Sequence, residues 1–237
     1  MEPSLLAKQA LIVEAAIRDP NVTGKQLKWM GHMQQVIYSR VADFPEFREP
    51  LLAALPESQR AVVAKALDAG RELRKIGSGP APKKLPDWKI VTPPPAETLL
   101  SYYKEAEATF GVPWYYLASI NLVETRMGRI RGLSSAGAQG PMQFLPATWA
   151  AYGQGDVNDP RDAILGAARY LKASGAPGNM AKALFAYNRS DFYVNAVDLY
   201  AQAMKLDPMV FRGYHGWQVY AGTVDGVQLL PEGWTKE

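Results

Sequence analysis

The 237-residue sequence contains no cysteine, which excludes disulfides, thiol nucleophiles, thiolate zinc sites and iron–sulfur clusters together. Histidine is nearly as scarce. His32 and His215 lie far apart and in no metal-ligand spacing, so a His-built metal site or a His-based triad has little material. No run reaches the roughly 18 consecutive apolar residues of a membrane-spanning helix. Glu2, Lys8, Glu14, Arg18 and Asp19 interrupt the first twenty residues, unlike the apolar core of a signal peptide. Charge of one sign is missing too: 26 Lys+Arg against 23 Asp+Glu leave a net +3, too evenly mixed for a nucleic-acid footprint. We expect no metal, no cofactor, no nucleic-acid partner and no integral membrane segment. Hydrolytic chemistry in such a chain would need carboxylates.

What is present is an ordinary globular composition, 48% hydrophobic and 21% charged, long enough for one to two domains with a real core. Leu5, Leu6, Ile12, Ala15 and Ala16 recur at helical intervals over residues 4–18 until Asp19-Pro20 stops the run. Thr23 is placed to cap a second helix, which carries Leu27, Met30, Gln34 and Ile37 and ends near Asp43. Residues 46–54 and 57–76 complete an all-helical N-terminal region, 1–76, in which nothing looks chemical. Residues 77–95 then hold six prolines and Gly77 and Gly79, the composition of a linker or a strap. Trp88 and Ile90 inside it favour packing against a domain.

Further helices are expected at 96–110, 113–127, 146–152, from the Asp159-Pro160 start through Leu171, at 179–187 and at 191–204. They make up a domain over 96–205. A C-terminal extension, 206–237, packs on that domain and contains a short hairpin around Asp225-Gly226. The fold class is mainly α. His32 and His215 read as structural, and Tyr214, Trp217 and Tyr220 as core packing more readily than as an aromatic wall.

On a helical wheel Glu124 falls between Ile120 and Leu117, on the arc that also holds Tyr116, Val123 and Met127. A carboxyl on an apolar face is desolvated, which raises its pKa toward the range of a general acid at neutral pH. The bland alternative is a Glu paired with Arg126, Arg129 or Arg131. Downstream, the loop 137–146 is glycine-rich, so backbone can approach a ligand closely; Gln143 offers an amide, Met142 and Phe144 apolar faces. Tyr187 and Asn188 close a later helix with a phenol and an amide. Each piece alone is a helix end or a turn.

Taken in order, Glu124-Thr125, Gly140-Pro141-Met142-Gln143 and Ala186-Tyr187-Asn188, with an Asp159-Pro160 helix running to Tyr170-Leu171 between them, resemble the lytic transglycosylases of the lysozyme-like superfamily. The resemblance covers residues 96–204. It implies a lysozyme-like helical catalytic domain in which Glu124 is the sole catalytic acid/base. Met142, Gln143 and Phe144 would line the sugar groove, Tyr187 would bond the catalytic carboxyl or the substrate, and Asn188 and Thr125 would support the same site. Two positions depart from the family pattern: Thr125 stands where Ser is usual and Pro141 where Leu is usual.

The activity implied is cleavage of the β-1,4 bond between N-acetylmuramic acid and N-acetylglucosamine in peptidoglycan, with a 1,6-anhydromuramoyl product. No second carboxylate stands out, since Asp156, Asp159 and Asp162 sit where helix capping explains them. A goose-type-lysozyme-like muramidase and a non-catalytic cell-wall-binding module are the alternatives. Glycan strands of the wall are the expected partner, with residues 1–76 a candidate surface for other cell-wall proteins. The expected location is extracytoplasmic, in the envelope or secreted, an export signal having been removed.

Overall fold

The computed structural model describes residues 2–76 and 80–236. Its helices, in chain order, are α1 (Pro3–Arg18), α2 (Gly24–Asp43), α3 (Arg48–Ala54), α4 (Glu57–Lys75), α5 (Ala96–Phe110), α6 (Trp114–Thr125), α7 (Pro146–Tyr152), α8 (Pro160–Ala173), α9 (Met180–Tyr187), α10 (Asp191–Leu206) and α11 (Val210–His215). Strands are few: β1 (Lys89–Ile90) pairs antiparallel with β2 (Ile130–Arg131), and β3 (Val219–Thr223) with β4 (Gly226–Leu230). The mainly α class and the C-terminal hairpin are as expected from the sequence. Among the described residues no helix is long and apolar enough to cross a membrane.

The chain divides into two compact units. One comprises Met1–Ile76 with Asn195–Trp217, the other Gly77–Val194 with Gln218–Glu237. Residues 206–237, expected as a single extension, are therefore shared out: α11, which the sequence did not suggest, belongs with the N-terminal helices, and the hairpin belongs with the second unit. The physical reason is visible in the glycines. A Cβ at Gly31 of α2 would lie 2.3 Å from the carbonyl oxygen of Gly213 in α11, so the two backbones touch where no side chain fits.

In the first unit Leu6, Ala10, Val13 and Ile17 give α1 one buried stripe, at the helical spacing of an amphipathic surface helix. Within it sits a buried polar knot. Glu14 is 1% exposed; its Oε1 accepts from the Tyr38 hydroxyl at 2.5 Å and Gln34 Nε2 at 2.9 Å, and its Oε2 from Arg18 at 2.6 Å. Gln34 in turn accepts from the Trp217 indole at 3.0 Å, and Arg18 also reaches Asp207 at 2.7 Å. Tyr214 and Trp217 pack edge-on in this core, rings 5.1 Å apart, and form no groove wall. The expected Thr23 cap makes no side-chain bond to α2.

In the second unit the proline-rich stretch packs as a strap; its first residues, 77–79 with Gly77 and Gly79, lie outside the described residues. Ile90 is 1% exposed and joins Val219, Ala221 and Leu230 in a small core, with Trp88 against it. Arg129, fully buried, pairs with Glu232, which also accepts from Thr92 at 2.9 Å. At the centre lies α6, buried all round: Tyr116, Leu117, Ala118, Ser119, Ile120, Asn121 and Leu122 have no wet side. A helix of this kind belongs to the middle of a domain, not to its surface.

Candidate active site

Glu124 comes one residue before the end of α6, and the helix stops there for a backbone reason. Arg126 and Met127 both adopt left-handed φ, 53° and 63°, a conformation that costs a residue with a side chain energy and tends to gather at functional sites. The helix thus ends two residues before the expected 127. Its terminus is held by Thr125, fully buried, whose hydroxyl donates to the Pro141 carbonyl at 2.6 Å and accepts from the Gly128 amide at 3.0 Å. Asn121 Nδ2 donates to the same carbonyl at 2.8 Å. Two side chains of α6 therefore fasten the glycine-rich loop beside Glu124.

That loop is itself tightly closed. Gln139 and Phe144 exchange amide–carbonyl bonds of 2.9 and 2.8 Å, and Gly140, at φ 75°, has no room for a side chain because its Cβ would lie 2.0 Å from the Val157 carbonyl. Gln143 is also left-handed, φ 52°, and its amide nitrogen donates to the Gly140 carbonyl at 3.0 Å, fixing the side chain while its oxygen stays available.

The Glu124 carboxyl sits in this setting without a cationic partner among the described residues. Its Oε1 accepts from the Tyr193 hydroxyl at 2.7 Å. Burial pushes its pKa up from 4.5 to about 7, and the Tyr193 bond, which favours the charged form, opposes the rise only in part. The arginines offered as bland partners are engaged elsewhere: Arg126 with the Leu122 carbonyl, Arg129 with Glu232, Arg131 with the Asn158 carbonyl. Nor does a second acid join it among the described residues. Asp159 caps α8 by accepting from the Asp162 amide at 3.0 Å, and Asp162 and Asp156 accept from the amides of Asp156 and Asn158.

Beside the loop runs a groove of about 370 Å³, whose lining includes Gln143, Phe144, Thr148, Tyr170 and Tyr187. Its wall carries a ladder of three rings, Phe144 to Tyr187 at 6.1 Å and Tyr187 to Tyr170 at 5.7 Å, which Trp149 on Phe144 (5.1 Å) and Tyr152 on Tyr170 (4.9 Å) continue outside the lining. Such faces suit the apolar side of a sugar ring. Glu124 is not itself part of this lining. Tyr187 joins the two, because it lines the groove and its phenol is pushed well above its ordinary value first by burial and then by the Glu124 charge.

Of the sequence-predicted residues, Glu124, Thr125, Met142, Gln143, Phe144 and Tyr187 lie around the loop 137–146 and Asn188 does not, and several act differently from expectation. Thr125 is an interior latch with no surface for a sugar. Met142 is fully buried and contributes its carbonyl, which accepts from the Tyr187 hydroxyl at 2.6 Å. Tyr187 therefore braces the loop, and the phenol on the catalytic-type carboxyl is that of Tyr193. Phe144 is 2% exposed and still contributes to the groove lining. Asn188 is exposed, past the end of α9 and outside the groove lining. Tyr193 went unnoticed in the sequence, although its spacing with Val197 and Tyr200 puts a hydroxyl on an apolar stripe, the same signal that marked Glu124.

A helical unit with one desolvated carboxyl beside a groove of aromatic rings is the arrangement that the resemblance to the lysozyme-like superfamily implies. Comparison with known proteins narrows it: residues 101–207, which include Glu124, Gln143, Tyr187 and Tyr193, match the family model Transglycosylase SLT domain. The chain is also similar to the membrane-bound lytic murein transglycosylase F of Thiobacillus denitrificans, 30% identical over 135 residues, 54% of this chain and 26% of that protein. It spans about a quarter of that relative's length. No solved structure matches the chain at a significant level.

Proposed function

We propose that the protein is a peptidoglycan lytic transglycosylase acting outside the cytoplasm, with Glu124 as its single acid and then base. The observation that carries the proposal is the Glu124 carboxyl, raised to about 7 by burial and held by one phenol with no second acid beside it among the described residues. Near neutral pH such a group still carries a proton and can also take one back.

Glu124 donates its proton to the oxygen bridging N-acetylmuramic acid and N-acetylglucosamine as the bond from that oxygen to C1 breaks. The acetamido oxygen of the same muramic acid closes on C1 in place of a second carboxylate. The sugar's own 6-hydroxyl then attacks C1, displacing that oxygen, and its proton passes to the Glu124 carboxylate. The enzyme returns to its starting state, no water is consumed, and the product ends in a 1,6-anhydro ring. Tyr193 keeps the carboxyl turned toward the reacting oxygen, and the ring ladder from Phe144 to Tyr170 supports the strand.

Digestion of purified peptidoglycan followed by mass analysis tests the proposal. Fragments lighter by one water than hydrolysis products are expected, and none from the Glu124→Gln variant. Reducing ends would mean that water resolves the intermediate, as in a muramidase. Undiminished clearing by Glu124→Gln would remove the acid from its role.

A further inference from the structure

The groove is lined by aromatic, aliphatic and neutral polar groups, with one charged side chain among them, that of Arg189. It stands in the connection 188–190 between α9 and α10. Its side chain is exposed and has neither a hydrogen bond nor an ion pair with any described residue. Other arginines of this unit are occupied, Arg161 with Glu105 at 2.8 Å, Arg129 with Glu232, and Arg169 with the Tyr152 carbonyl.

The connection that carries Arg189 is firm. The Asn188 amide donates to the Leu184 carbonyl at 3.0 Å, the Ser190 amide to the Asn188 carbonyl at 2.8 Å, and the Val194 amide to the Ser190 carbonyl at 3.0 Å. The backbone on both sides of Arg189 is thus tied into helix ends, which keeps its charge at the groove mouth. A guanidinium left without an internal partner beside a ring-lined trough is matched to a planar anion on whatever lies in the trough.

We propose that Arg189 is a specificity-determining residue that binds a carboxylate of the bound glycan strand, while the ring ladder takes the sugar faces. The inference rests on the glycan-cleaving function proposed above and goes beyond it by naming the substrate feature selected. Two parts of a muramic-acid strand supply that chemistry: the carboxylates of the peptide stem, and the lactyl carboxylate exposed when the peptide has been removed. A chitooligosaccharide has neither.

The test measures dissociation constants on the Glu124→Gln background, where no bond is broken, with three soluble probes of equal sugar length: a peptide-bearing strand, an amidase-stripped strand and a chitooligosaccharide. With Arg189 present, one of the carboxylate-bearing strands binds about five- to tenfold tighter than the chitooligosaccharide, the size expected of a partly exposed charged contact. The preference shrinks at about 1 M salt, where the Debye length falls to about 3 Å. It survives in Arg189→Lys, disappears in Arg189→Ala and inverts in Arg189→Glu. A preference for the peptide-bearing strand assigns the anion to the stem, and one for the stripped strand assigns it to the lactyl group. Identical ratios in the Arg and Ala forms, or an equal loss on all three probes, overturn the proposal. Because binding is read without cleavage, a wild-type protein that fails to produce anhydro ends leaves this comparison standing.

Discussion

Each unit draws one glutamate out of bulk water, Glu14 buried in the first and Glu124 half-buried in the second, and their surroundings are opposite. Glu14 in the first is saturated: a phenol, an amide and a guanidinium occupy both oxygens, and the cation sits within 2.6 Å. Glu124 in the second has one phenol and, among the described residues, no cation. With no cation to offset desolvation, the Glu124 carboxyl keeps a proton near neutrality. The partner set around a buried acid, more than its burial, separates a structural tie from a chemical group.

Exchanging each acid for its amide breaks the comparison most sharply. Glu124→Gln is expected to lower turnover by about a thousandfold, within the range of lost general acid catalysis, with an unchanged or raised melting temperature. Glu14→Gln is expected to do the reverse, costing about 3 kcal/mol by leaving Arg18 short of its buried partner, while activity per folded molecule persists. Denaturant unfolding beside a turnover assay reads both.

The pH dependence follows from the same contrast. Glu124 binds its proton more tightly in the folded state than in the unfolded one. Its contribution to stability is therefore complete below pH 4.5 and is lost as pH rises through about 7. Between those limits the wild type should lose about 3 kcal/mol that Glu124→Gln does not lose, measurable as a difference in unfolding free energy across pH. Activity should fall on the alkaline side of about 7 as the acid deprotonates.

Smaller effects sharpen the picture. Tyr193→Phe removes a bond that favours the carboxylate, so the alkaline limb of the rate profile should move upward by about half a unit, with a loss in kcat larger than any change in KM. Thr125→Val should cost about 1–2 kcal/mol by leaving the Pro141 carbonyl short of a donor. Thr125→Ser should restore most of it.

Much of this was legible beforehand. The helices of both units carry clear periodicity, and Glu124 announced itself as an acid on an apolar face. Gln143 and Tyr187 followed from their order along the chain. What could not be read was which donor meets which acceptor. Tyr187 and Tyr193 both point at the same neighbourhood, and only coordinates show that the first bonds the Met142 carbonyl and the second the carboxyl. Helix α11 was hidden because Gly213 and Gly216, poor helix formers in isolation, serve a close backbone approach to Gly31. The division of residues 206–237 has the same source: contacts distant in sequence decide it, and local propensity does not record them.

The hold of Asn121 and Thr125 on position 141 goes through a main-chain oxygen, which every amino acid possesses. Proline can therefore replace the family's usual leucine there without loosening the grip, and the side chain at 141 is at liberty to drift between relatives. The letter at that position records nothing of this contact. A hydroxyl and an amide four residues apart on the preceding helix record all of it.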